Sequence, residues 1–435
     1  MSLFDVKLAG HRRWLPVGDA YEVTRKPRGL NTSQLAAIPF ASMADLPQGG
    51  AYAPDYTMKV PTEIKSGTYF ERGDILVAKI TPSFENGKQA LTAGLPNPFG
   101  FATTEVIPLR PRTDGHDRRL LFFYLLHPDV RHHVAERMEG TTGRQRVPEE
   151  VLLDLPFPEF EPEEQTAISD SLETIQRLIE TEMKSAQTAI GLKYATMRSL
   201  FTRGLRGEPQ KETEIGSVPE SWRVSTLGET AQLERGRFMH RPRNEPRFYG
   251  GATPFVQTGD VVRSGGRISE FVQTLNEDGV AISRVFPAGT ILITIAANIG
   301  FTGILQFASA CPDSLVAITP NQSLNVEFLE YFLQTQQGEM DKLAPKGTQK
   351  NINIQFLTPW PIVVPPDKEE QREIVSILEA IDHKINLHRK KLAVLDDLFK
   401  ALLHKLMTGE IRVAALDLSV LTGIEENMDT NEVYA

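Results

Sequence analysis

The chain has 435 residues, 40% hydrophobic and 24% charged, a net charge of -9 and a single cysteine. That size suggests two to four domains of ordinary globular composition, and the lone Cys311 excludes an internal disulfide. The longest apolar stretch, Ile291 to Ile299, falls short of the roughly 20 residues that cross a bilayer, and Met1-Ser2-Leu3-Phe4-Asp5 is no secretory leader, so a cytoplasmic chain without membrane association is expected.

The first stretch, of about 150 residues, mixes short β-rich runs such as Ile75 to Ile80 with Gly and Pro turns and a short helix near Tyr124. A long helix is predicted next, with apolar positions Ile168, Leu172, Ile175, Ile179, Met183, Ala186, Ile190, Met197 and Leu200; the spacing loosens between Met183 and Tyr194. Pro162 and the acids Glu163-Glu164 suit its start. Gly204 to Pro219 is polar and reads as a linker. A second mixed domain follows, with a β-rich run from Thr290 to Ile295 and a helix near Tyr331. After Pro365-Pro366 comes a second long helix. Its seam runs through Ile374, Leu378, Ile381, Ile385, His388, Leu392, Leu395, Phe399, Leu402 and Leu406 in alternating steps of four and three, a heptad pattern with one polar insertion. The tail carries Asp417, Glu425, Glu426, Asp429 and Glu432 without a basic residue, and reads as flexible.

The two halves match. Glu163-Glu164-Gln165 recurs as Glu369-Glu370-Gln371, Gly18-Asp19 as Gly228-Glu229, Pro39-Phe40 as Pro254-Phe255, Phe70-x-x-Gly73 as Phe286-x-x-Gly289, and Tyr124 as Tyr331. The matches keep their order at offsets of 206 to 216, which points to duplication of a whole unit. Two helices of about 40 residues, each with an apolar seam, pair most simply antiparallel; packing on their own globular domains is the other possibility. Pairing would give a rod with a globular domain at each end, related by a pseudo-twofold axis.

Catalytic motifs are sparse. The sequence lacks a Gly-x-x-x-x-Gly-Lys-Ser/Thr loop and a Gly-x-Gly-x-x-Gly fingerprint. Asn97-Pro98-Phe99 sits in a Gly/Pro-rich stretch and reads as a turn. Asp55, Glu63 and Lys65 loosely resemble a nuclease pattern but have no counterpart in the second half. His132, His133, His383, His388 and His404 lack metal-ligand spacing, and Cys311 reads as a buried structural thiol. No metal site is expected.

Basic clusters are the better candidates. The first half has Arg12, Arg13, Arg25, Lys26, Arg28, Arg144 and Arg146; the second has Arg235, Arg237, Arg241, Arg243, Lys346, Gln349, Lys350 and Asn351. Such side chains can meet phosphates, and Arg, Gln and Asn can make paired hydrogen bonds to base edges. The bland alternative for each is solvated surface charge. At an offset of 206, Arg144 matches Lys350.

A Gly-Thr loop closed by a basic residue (Gly140-Thr141 with Arg144, Gly347-Thr348 with Lys350), a Pro-x-Pro stretch (Pro156-Phe157-Pro158, Pro359-Trp360-Pro361) and Glu-Gln-x-x-Ile opening a long helix occur twice. Together with Ile215-Gly216-Ser217-Val218-Pro219-Glu220-Ser221-Trp222, they resemble the specificity subunit of Type I restriction–modification enzymes over about residues 10 to 412. The resemblance implies an α+β protein with two similar target-recognition domains and two long helices forming an antiparallel coiled coil. Its parts would be recognition domain 1 (1–158), a central helix and linker (159–208), recognition domain 2 (209–362), a distal helix (363–413) and an acidic tail (414–435). Each domain would read half of a split double-stranded DNA target, with the helices as a ruler. Two modification subunits and the restriction/translocase subunits would be the partners, and would use S-adenosylmethionine, ATP and Mg, leaving this chain non-catalytic and without a cofactor. The competing reading is a protein-assembly scaffold with paired helices and no DNA readout.

Overall fold

A computed structural model describes residues 3–5, 12–48, 54–141, 143–345 and 350–416. It is an α+β protein with two similar mixed globular domains and two long helices, Pro162–Arg203 and Lys368–Thr408. The chain divides into two compact units, residues 1–185 with 388–435, and residues 186–387. Each unit therefore joins one globular domain to the first half of the helix that follows it and to the second half of the other long helix.

In the first unit, one antiparallel sheet has the order Tyr21–Val23, Val106–Pro111, Ile75–Ala78, Gln89–Leu91. A second has the order Thr57–Lys59, Ile38–Ala41, Phe99–Ala102, Thr68–Glu71, with its two central strands parallel. Trp14–Pro16 pairs separately with Pro156–Pro158. The second unit repeats this order. One sheet runs Ala231–Arg235, Leu315–Pro320, Ile291–Thr294, Thr302–Leu305, plus an edge strand Arg267–Ile268. The other runs Gln273–Leu275, Tyr249–Phe255, Ser309–Ala310, Val285–Phe286, again with a parallel central pair. Arg223–Thr226 pairs with Pro361–Val364.

The matched residues explain the match. Ile75-Leu76-Val77 and Ile291-Leu292-Ile293 form central strands covered on both faces, so every residue is apolar and buried. Ile75 and Val77 face one core and Leu76 another; Ile291 and Ile293 face one and Leu292 another. Gly73 and Gly289 precede them at φ 91° and 83°, where a side chain would strain the backbone.

The Gln of the Glu-Gln-x-x-Ile signature also has a visible job. Gln165 Oε1 accepts from the N–H of Asp117 at 2.9 Å, and its Nε2 donates to Phe160 O at 2.9 Å and Gly115 O at 3.4 Å. Gln371 Oε1 accepts from Asn325 N–H at 2.7 Å, and its Nε2 donates to Ser323 O at 3.2 Å. Asp117 and Asn325 are the N-caps of the helices carrying Tyr124 and Tyr331. A buried amide thus ties each long helix to the start of its domain's framework helix.

The long helices do both things the sequence left open. In the first unit, Ile168, Leu172 and Ile175 share a core with Phe399, Leu402, Leu403 and Leu406 and with the globular domain, and Ile179 packs on that core. In the second, Met197, Leu200 and Phe201 do so with Ile374, Val375 and Leu378. Of the other seam positions, Ile385 and His388 are buried and Ile381, Leu392 and Leu395 half-buried. Within each unit the two helix segments run antiparallel: in the first Glu182 meets His388 while Ile168 to Ile175 share a core with Phe399 to Leu406, and in the second Lys193 meets Asp382 while Leu205 N–H, just past the helix end, donates to Glu370.

One expectation about the first helix fails. Met183 is 58% exposed and Ile190 only half-buried; the buried stripe runs Leu178, Glu182, Ala186, Ala189, Lys193, Met197. Its steps of four, four, three, four and four depart from the alternating four and three of a heptad. Two stripe positions are charged and are satisfied by partners, which an apolar pattern cannot reveal. Glu182 pairs with His388 Nδ1 at 2.6 Å, and Lys193 with Asp382 at 2.8 Å.

Candidate nucleic-acid interface

The structure sorts the basic candidates by what they touch. In the first unit several cations brace the fold. Arg12 pairs with Glu164 at 3.0 Å, donates to Glu159 O at 3.1 Å and lies 4.1 Å from the Phe160 ring centre. Arg146 grips Glu105 with two bonds of 2.8 and 2.7 Å, and its guanidinium holds the Glu105 carboxyl below the usual carboxylate range. Arg25 pairs with Glu149, and Arg13 lies 3.8 Å from Glu159. Lys26 sits 5.6 Å over the Phe101 ring. Arg28 and Arg144 are exposed and, among the described residues, have no side-chain partner. They are the cations left free to meet a phosphate.

In the second unit Arg235, Arg241 and Arg243 converge on one residue, Asp313. Arg235 Nε donates to its carbonyl at 2.7 Å, Arg241 to its carboxylate at 2.8 Å, and Arg243 to the other carboxylate oxygen. Arg237 donates to Ser283 O at 2.9 Å. Asp313 was not legible as a hub, because it lies about 70 residues downstream with no motif around it. Lys350 pairs with Asp341 at 2.9 Å, and Asn351 is exposed in a bridge to Ala296. Lys346 and Gln349 lie outside the described residues, as do Thr142 and the tail from Asp417.

The pairing of Arg144 with Lys350 shifts by one residue. Arg146 bridges to Ile80 where Asn351 bridges to Ala296, and Val147 N–H bonds Lys79 O where Ile352 N–H bonds Ile295 O. The structural counterpart of Arg146 is therefore Asn351. The two Pro-x-Pro stretches shift likewise: Pro156–Pro158 is a strand, whereas the equivalent strand, Pro361–Val364, begins at the last proline of its motif.

Other candidates resolve locally. Asn97 Nδ2 donates to Ala37 O at 3.2 Å, and Glu63 accepts from Val60 N–H in a single turn. Cys311 is fully buried, which pushes its thiol up to about 12. Among the described residues one His/Asp group has metal-ligand proximity: His127, Asp129 and His404. Asp129 N–H donates to His127 Nδ1 at 3.1 Å, which places the His127 proton on Nε2, 3.1 Å from His404 Nδ1. A metal would need the lone pair on that Nε2, so a His–His hydrogen bond accounts for the cluster better. Burial lowers His127 to about 4, keeping it neutral. No helix among the described residues is long and apolar enough to cross a membrane.

Comparison with known proteins agrees with this geometry. Residues 219–397 match the model of the Type I restriction modification DNA specificity domain. The chain is 27% identical over 346 residues to the putative type I restriction enzyme MjaX specificity subunit of Methanocaldococcus jannaschii, covering 78% of this chain and 79% of that protein. It is 36% identical over 117 residues, 26% of this chain and 20% of that protein, to the EcoAI specificity subunit of Escherichia coli. Its fold is similar to that of a type I restriction–modification system chain (TM-score 0.57, 20% identity, covering 92% of this chain and 98% of that one). It is also similar to the S subunit from M. genitalium (TM-score 0.55, 15% identity, 92% and 97% covered). Over most of its length the chain is thus similar to type I restriction–modification specificity subunits.

Proposed function

We propose that this chain is the sequence-specific DNA-binding subunit of a type I restriction–modification complex, with each globular domain reading one half of a bipartite duplex target. The domain division at 1–158, 159–208, 209–362, 363–413 and 414–435 follows from that reading. The carrying observation is a shared frame with unlike loops. Sheet order, framework tyrosine and glutamine clamp recur, while the loop after the matched strands Tyr21–Val23 and Ala231–Arg235 carries Arg25-Lys26-Pro27-Arg28 in one domain and Arg237 to Arg243 in the other. Two readers of different sequences need the same scaffold and different loops. Arg28 and Arg144 supply phosphate contacts in the first domain; the braced arginines of the second shape its reading loop. The chain itself is non-catalytic and cofactor-free. Two modification subunits and the restriction/translocase subunits, bound to it in the cytoplasm, bring S-adenosylmethionine, ATP and Mg.

The test is methylation mapping of DNA from cells expressing the chain with its modification subunits. A motif of two separated half-sites is expected, and Arg28→Glu with Arg144→Glu should weaken salt-dependent binding of the complex. A protein-assembly scaffold would give no motif and would be indifferent to both changes.

A further inference from the structure

The loop between Ala231–Arg235 and Tyr249–Phe255 holds one apolar side chain out in solvent. Met239 is 70% exposed, yet its backbone is held on every side. Phe238, immediately before it, is 1% exposed and packs against Phe248, Tyr249 and Phe255. Phe238 also bridges to Ser283, and Met239 N–H donates to Ile282 O at 3.3 Å. Arg241 donates to Phe238 O at 2.7 Å and to His240 O at 2.8 Å, closing a clamp on both flanks of Met239, and it is itself held by Asp313. At the root of the loop, a Cβ on Gly236 would stand 2.2 Å from Pro312 O, so the backbone lies directly on its neighbour. This is costly scaffolding for a surface methionine of no use.

The surroundings say what it meets. Arg237, Arg241, Arg243 and Arg247 lie within the same loop and Arg235 ends the strand before it, all exposed, and Asp313 offsets part of that charge. Val272 is equally exposed, but it follows Glu270 rather than arginines. A rigid thioether set among cations fits a polyanion that also offers apolar groups, which describes the major groove of duplex DNA with its thymine methyls. In the first unit the corresponding loop, from Thr24 to Ala37, shows only Leu35, at 37% exposed against 70% for Met239.

We propose that Met239 is a base-contacting residue of the second domain, making the apolar contact to a thymine methyl in the half-site that domain reads. The inference rests on the DNA-reading function above. The test uses the full chain assembled with its modification subunits, on its mapped target. Each thymine of that half-site is replaced in turn by uracil, which lacks only the methyl. The wild-type complex should lose roughly five- to tenfold in affinity at one position. Met239→Ala should show the same loss on the unmodified target and no further loss with uracil, and Met239→Leu should restore discrimination. The other half-site should be unaffected by either variant. Because Met239 is exposed, unchanged thermal unfolding of both variants is expected. Sequence-specific binding that Met239→Ala leaves intact, with the uracil effect unaltered, overturns this assignment alone. A wild-type complex with no sequence preference overturns the DNA-reading function, and this assignment with it.

Discussion

The same socket is filled with opposite chemistry in the two units. In the first, the second half of a long helix presents Phe399 to the framework helix, edge-on to Phe123 at 5.9 Å, and Gln176 lies buried beside them in the same helix pair. In the second, 206 positions earlier, the same place holds Lys193. It pairs with Asp382 at 2.8 Å, and Asp382 accepts from Tyr331 OH at 2.6 Å. Glu330, fully buried where the first unit has Phe123, accepts from Thr302 Oγ1 at 3.1 Å and Gln334 Nε2 at 2.7 Å, with Arg267 at 3.6 Å. The frame tolerates either filling; the fillings do not tolerate exchange. A phenylalanine in the second socket would leave Asp382 without its cation, and a lysine in the first would bury an ammonium against Phe123. Divergence between the copies thus fixes which helix half belongs to which domain.

Each side of this contrast can be broken. Phe399→Ala should cost the first unit about 3–5 kcal/mol, seen as lost hydrogen-exchange protection in Arg118–Tyr124 and not in Val326–Leu343. Equal loss in both helices would mean the sockets are not independent. Lys193→Met should cost the second unit about 3 kcal/mol by leaving Asp382 unpaired, and adding Asp382→Asn should recover part of that in denaturant unfolding. No recovery would remove the ion pair from the account.

Glu330 gives the charged socket its own pH response. Burial raises it from 4.5 to about 7, so the folded state holds this proton more tightly than the unfolded chain. Its stabilising contribution is present below pH 4.5 and is lost as pH rises through 7. Between pH 5 and 8 the wild type should lose about 2 kcal/mol more than Glu330→Gln, in paired unfolding curves. Parallel curves would sink this reading. The smallest effect should be symmetric: Gln165→Leu and Gln371→Leu each leave one partly buried N–H unpaired, costing about 1–2 kcal/mol in their own unit. Strongly unequal costs would deny the glutamine clamp its shared role.

Much of this was legible beforehand, for identifiable reasons. The duplication could be read because Gly73 and Gly289, the buried strands after them, and Gln165 and Gln371 answer to local demands that each copy must meet separately. The heptad of the second helix was legible because its seam is apolar but for His388. The middle of the first helix was not, because Glu182 and Lys193 are buried only by virtue of His388 and Asp382, some 190 to 206 residues away. Of the candidate interface, the clusters were visible as charge. Nothing in sequence separated Arg28 and Arg144, which remain free, from Arg12 and Arg146, which brace the fold.

By itself, then, the sequence determined the repeated unit and the long helices, because periodicity, turn glycines and capping residues act over a few positions. Tertiary structure decided which charges are spent on other charges, that Asn351 rather than Ile352 stands where Arg146 does, and that Met239 is held outward by Arg241. Those outcomes depend on partners far along the chain, and a side chain's role is set by what it meets.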